Sequence, residues 1–131
     1  MMRQLILTAF FSILLLNSCN KDDESTLFFM EDKFQLDQQF QSADNLLKFT
    51  ITEILDSRCP SDVVCIWQGE AIVKIKVESP VAGTLELSTF HNPTDTLGTY
   101  SFSLTDVFPY PVSTQVIALE DYKVTLKIEG F

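Results

Sequence analysis

Three cysteines, a single histidine and eighteen carboxylates are the residues of this 131-residue chain that could carry chemistry. Cys59 and Cys65 stand with five residues between them, inside Asp56-Ser57-Arg58-Cys59-Pro60-Ser61-Asp62-Val63-Val64-Cys65-Ile66-Trp67-Gln68-Gly69-Glu70. A redox dithiol usually separates its thiols by two residues. A structural zinc wants four ligands, and this chain offers two thiols and a distant His91. Catalysis needs acid, base or nucleophile groups that converge in a pocket. The chain contains no Gly-x-Ser-x-Gly, no His-Glu-x-x-His, no phosphate loop and no calcium-loop pattern. Its adjacent carboxylates, Asp22-Asp23 and Glu120-Asp121, point apart in an extended chain. The expectation is therefore a protein that is not an enzyme and needs no metal or cofactor. A net charge of -9 and a pI near 4.3 also argue against nucleic acid as a partner, because a phosphate-backbone binder presents a basic face.

The third cysteine, Cys19, follows a different kind of segment. Arg3 precedes an apolar run over residues 5–16, interrupted by Thr8 and Ser12. As a helix this run would reach roughly 18 Å, against a hydrocarbon core of about 30 Å, so it is too short to span. A positive start and an apolar middle are the layout of a secretory signal. The run closes on Leu16-Asn17-Ser18-Cys19, which resembles a bacterial lipobox, in which cleavage precedes the cysteine and the cysteine is lipidated. The resemblance implies a signal peptide over 1–18 and a membrane partner held through acyl chains such as palmitate on Cys19. Two chains anchor stably where one is marginal. Behind the cysteine, Lys21-Asp22-Asp23-Glu24 reads as a solvated tether over 19–26. It also resembles the surface-export signal of lipoproteins in one Gram-negative phylum, which implies the outer leaflet of the outer membrane.

With Cys19 acylated and the protein exported, two thiols remain in an oxidising compartment, and Cys59 with Cys65 uses both. Closing a loop of about seven residues restricts the unfolded chain by roughly 2 to 2.5 kcal/mol. Asp56 and Arg58 flank the loop and are expected to pair at its neck as an exposed couple, worth about 0 to 1 kcal/mol. Trp67, two residues past Cys65, is expected on the face of the disulfide and packed against it. An exposed ligand platform is the other reading. Gly69 is expected to mark a bulge where the strand bends.

The elements that position this loop show themselves by alternation. Leu47, Phe49 and Ile51 alternate with polar residues, as do Ala71, Val73, Ile75 and Val77. Leu85 and Leu87, then Tyr100, Phe102 and Leu104, and finally Tyr122, Val124, Leu126 and Ile128 repeat the pattern. Weaker strands are expected at 27–30, 34–40 and 116–119. Turn signals fall at 42–45, 79–83, 91–98 and 109–111. About seven short strands predict an all-β domain over 27–131, an immunoglobulin-like antiparallel β-sandwich, with a small β-barrel as runner-up.

The block Asp-Ser-Arg-Cys-Pro, four residues, Cys-x-Trp-x-Gly-x-Ala resembles a family of small bacterial lipoproteins. So do residues 104–111, Leu-Thr-Asp-Val-Phe-Pro-Tyr-Pro, and the closing Tyr-Lys-Val-Thr-Leu of 122–126. That resemblance implies an exported β-sandwich and supplies no substrate. Separately, Asn92-Pro93-Thr94 resembles the wedge loop of chagasin-like cysteine-peptidase inhibitors, although that family's Gly-x-Gly-Gly and Arg-Pro-Trp have no counterpart here. The expectation is a surface-exposed outer-membrane lipoprotein that binds a protein or glycan or serves as a structural envelope module, with a peptidase inhibitor as the alternative. Trp67, His91, Asn92 and Tyr110 are the candidate binding residues. His91 and Asn92 have a plainer reading as parts of an Asn-Pro turn.

Overall fold

The computed structural model describes residues 29–131. The signal segment, Cys19 and the tetrad Lys21, Asp22, Asp23 and Glu24 lie outside the described residues. Eight strands follow in order: β1 (Phe29–Phe34), β2 (Gln39–Gln41), β3 (Lys48–Asp56), β4 (Ala71–Ser79), β5 (Gly83–Ser88), β6 (Thr94–Leu97), β7 (Tyr100–Phe108) and β8 (Lys123–Gly130). They form two antiparallel four-stranded sheets, ordered β1-β8-β7-β6 and β2-β3-β4-β5. The sheets face each other as an open sandwich, so the barrel is excluded.

The buried side chains are those the alternation marks. Phe49, Ile51, Val73, Ile75 and Leu87 from one sheet meet Phe102, Val124, Leu126 and Ile128 from the other. Phe34, Phe40, Phe49 and Phe102 form a chain of ring contacts between the sheets, with centroids 5.0 to 5.6 Å apart. Edge-on and tilted rings at these spacings add to what their area burial contributes.

Three segments depart from expectation. Thr94–Leu97, read as part of a turn, is edge strand β6, because its polar side chains need only the one neighbour β7. Residues 116–119 form no strand: Val116 is fully exposed, Gln115 N–H closes a turn on the Val112 carbonyl, and a short 3-10 helix follows over Leu119–Asp121. The segment 34–40 splits: β1 ends at Phe34, the chain crosses between sheets with Asp37 at positive φ, and β2 begins at Gln39.

Two register shifts shape the end of the sandwich that matters here. One falls between Ile51 and Glu53 on β3, the other between Leu104 and Asp106 on β7. Each inserts a threonine whose hydroxyl donates to a carbonyl of the neighbouring strand, Thr52 to Lys74 at 3.3 Å and Thr105 to Thr125 at 3.1 Å. An extra residue reverses which side chains face inward. Before the shift Phe49 and Ile51 are buried; after it Ile54 and Asp56 point in and Leu55 points out. On β7 the same reversal buries Val107 and exposes Phe108.

Candidate functional site: a stapled apolar loop

The loops 57–70, 89–93 and 109–122 gather at the pole of the sandwich where β3, β5 and β7 end. The chain enters the fold at the other pole, where Phe29 pairs with Glu129 near the end of β8. Nine-residue strands at about 3.3 Å per residue separate the two poles by roughly 30 Å.

The loop 57–70 leaves β3 and returns to β4 in the register of the strands. Ser57 N–H donates to the Glu70 carbonyl at 2.9 Å and Cys59 N–H to Gln68 at 2.8 Å, continuing the pairing of Asp56 with Ala71. The expected bulge at Gly69 is absent, since the register does not shift. Gly69 instead sits at φ +65°, and a Cβ there would lie 1.9 Å from the Ser57 carbonyl oxygen. Only glycine lets the two arms of the loop approach this closely. Beyond this neck, Cys59 and Cys65 form the expected disulfide, with Cα atoms 5.9 Å apart.

Below the staple lies a buried polar clamp. Arg58 donates from Nε to Asp56 Oδ1 at 2.8 Å and from Nη2 to Oδ2 at 2.7 Å, a two-pronged ion pair. Its other N–H groups reach across to the opposite sheet, to the carbonyls of Val107 at 2.7 Å and Pro109 at 3.0 Å. Tyr122 donates its hydroxyl to Asp56 Oδ2 at 3.0 Å, and the Tyr110 ring stacks 4.5 Å over the guanidinium. Both charged side chains are buried, at 6% and 5% exposure, so the expected exposed pair is corrected to a buried one that ties the sheets together. The inward turn of Asp56 after the Thr52 shift is the physical reason. Burial opposes the charge on Asp56, but the hydrogen bonds and charge of Arg58, with Tyr122, outweigh it and hold the carboxyl below its usual range. Burial and the Asp56 carboxylate together push the Tyr122 hydroxyl up to about 12.

The loop's flank is tied as well. Ser61 N–H donates to the Pro111 carbonyl at 3.0 Å, and Asp62 accepts from Ser113 N–H at 2.8 Å and from its hydroxyl at 2.5 Å. What this framework presents is apolar. Val64 is fully exposed, Ile66 is 94% and Trp67 83% exposed. Trp67 therefore does not pack on the staple. Strand parity does not extend to it, because the chain has left β3 eleven residues earlier. Each such side chain forgoes about 1.5 to 3 kcal/mol that burial would supply.

The other candidate residues separate into scaffold and surface. Asn92 is used up in its turn: its N–H donates to Ser88 Oγ, its carbonyl accepts from Ser88 N–H, and its amide donates to the Glu86 carbonyl. Thr94 already belongs to β6. His91 is exposed, with Nδ1 3.0 Å from Glu70 Oε2. Tyr110 is half exposed through its stacking on Arg58. Among the described residues no group of three or more His, Cys, Asp or Glu is placed to hold a metal ion, and no helix is long and apolar enough to cross a membrane. Sequence reasoning missed Val64, Ile66 and the part of Tyr122 in the clamp, and it foresaw the Asp56–Arg58 pair but not its burial. The run Val63-Val64-Cys65-Ile66-Trp67 inside a loop was a usable signal for the first two. Comparison with known protein families, with curated proteins and with solved structures finds no match.

Proposed function

We propose that this protein is an outer-membrane lipoprotein, anchored through Cys19 and displayed at the cell surface, that binds its ligand with the stapled loop and performs no catalysis. One observation carries the binding role: Val64, Ile66 and Trp67 stand exposed on a loop fixed by a disulfide, a buried clamp and the Asp62–Ser113 contacts. A free-standing apolar loop would collapse or fray. A fixed one keeps its contact surface in binding geometry and avoids the ordering cost of association. The placement supports the reading too, since a tether leading to Phe29 leaves the loop pole facing away from the anchor. Lys21 to Glu24 would direct display, and the lipid on Cys19 would supply the membrane contact.

A photo-crosslinking residue placed at Val64 of the full-length protein in living cells tests the proposal. A discrete adduct from position 64, with none from Asn45 at the opposite pole, is the expected result. Absence of any adduct from 64, or the same adducts from both positions, would remove the binding role. A peptidase in the adduct would favour the inhibitor reading instead.

A further inference from the structure

We infer that the stapled loop docks into a protein partner through an apolar cleft edged by lysine and arginine side chains. This rests on the binding role proposed above and specifies the chemistry of the partner. The three loops at this pole carry Asp62, Glu70, Glu120 and Asp121 and no lysine, and the one exposed lysine that opens β8 beside them, Lys123, leaves the carboxylates in excess. Their arginine, Arg58, is buried and neutralised by Asp56, and their histidine already faces Glu70. Hydrogen bonds from Ser113 hold Asp62, and hydrogen bonds from Ser88 and His91 hold Glu70, below the usual carboxylate range, so both stay charged. The result is an apolar loop on a pole whose loops carry net negative charge. Its complement is an apolar depression with a cationic rim, since matched potentials steer encounter and reject like-charged surfaces.

Other occupants fit less well. Trp67 could stack a sugar ring, but the neighbouring Val64 and Ile66 offer a sugar's hydroxyls no hydrogen-bonding side chain. A second copy would bring the same net negative charge against this one. On the anchoring proposed above, the bilayer would lie toward the opposite pole, since the described chain enters there at Phe29. Trp67 at the centre of such a contact is the residue type on which interface energy concentrates.

The test selects binders to the full-length protein, held in detergent micelles, from a displayed library of random peptides. Expected are peptides that combine aromatic or aliphatic residues with lysine or arginine. They should lose at least about tenfold in affinity on Trp67→Ala or Ile66→Ser, and lose affinity as salt is raised. Both variants alter exposed side chains, and an unchanged melting curve confirms their fold. Peptides that depend on Trp67 but carry no basic residue and ignore salt would overturn the cationic rim while leaving the binding loop intact. Recovery of no Trp67-dependent peptide would overturn both. A Trp67-dependent dimer on sedimentation, or lipid-shielded Trp67 emission after reconstitution into phosphatidylcholine vesicles, would assign the patch to a second copy or to the bilayer and overturn the protein partner.

Discussion

Replacing Asp56 with Asn removes one charge from the clamp and leaves Arg58 buried without a counter-ion. The carbonyls of Val107 and Pro109 and the ring of Tyr110 remain around the guanidinium, so it is not stripped of partners. Breaking a buried pair from one side costs about 3 to 5 kcal/mol, and these surviving partners place the loss near about 3 kcal/mol. At roughly 4 to 8 °C per kcal/mol for a domain of this size, melting should fall by about 12 to 24 °C. The pH dependence carries a second signature. The folded Asp56 carboxyl titrates below its unfolded value of about 3.9, so the unfolded chain takes up the proton first. The pair's contribution is therefore complete above about pH 5 and is lost as pH falls through the folded value. Urea unfolding followed by circular dichroism from pH 3 to pH 7 should show the two proteins far apart at neutral pH and converging in acid. Asp62 and Glu70 titrate in both proteins, so the difference curve isolates Asp56. A variant within about 1 kcal/mol of the parent at pH 7, or a gap independent of pH, would refute the clamp as described.

Replacing Cys59 and Cys65 together by Ser should lower stability by about 2 kcal/mol, read from the same urea curves, and alkylation of the untreated protein should label neither cysteine. Gly69→Ala places a Cβ 1.9 Å from the Ser57 carbonyl oxygen in a left-handed backbone, and melting should drop by an amount equivalent to at least about 1 to 3 kcal/mol. Tyr122 should titrate late in an alkaline ultraviolet titration, near pH 12. Because its folded pKa lies above the unfolded value of about 10, its contribution holds below pH 10 and is lost above it, and Tyr122→Phe should abolish that late step. Cys19→Ala should block uptake of labelled fatty acid. Alanine at Lys21, Asp22, Asp23 and Glu24 should keep the lipid while ending digestion by external protease.

Alternation read over three to seven residues was enough to find β3, β4, β5, β7 and β8, because their buried faces repeat every second residue. It failed where a single residue is inserted. Thr52 and Thr105 carry no mark distinguishing them from other outward threonines, yet each reverses the strand end beyond it. Asp56 and Arg58, two residues apart, consequently read as a surface couple. Their burial depends on Val107, Pro109 and Tyr122, about fifty to sixty-six residues away. The disulfide was legible from parity and compartment. The direction of Trp67 was not, because a loop obeys its own ties, here Gly69, Cys65 and the 109–122 segment.

The binding role depends on an indole that faces water on a loop whose backbone is tied in place, and Trp67 is the sole tryptophan of the chain, so its fluorescence reports this site alone. Time-resolved anisotropy of the full-length protein, combined with acrylamide quenching, reads motion and exposure together. Expected are quenching as efficient as for a free indole and, after the fast wobble of an exposed side chain, a residual anisotropy that decays at the rate of the whole domain. Protected emission, or a decay to zero with no component at the rate of the domain, would contradict the tied, exposed loop.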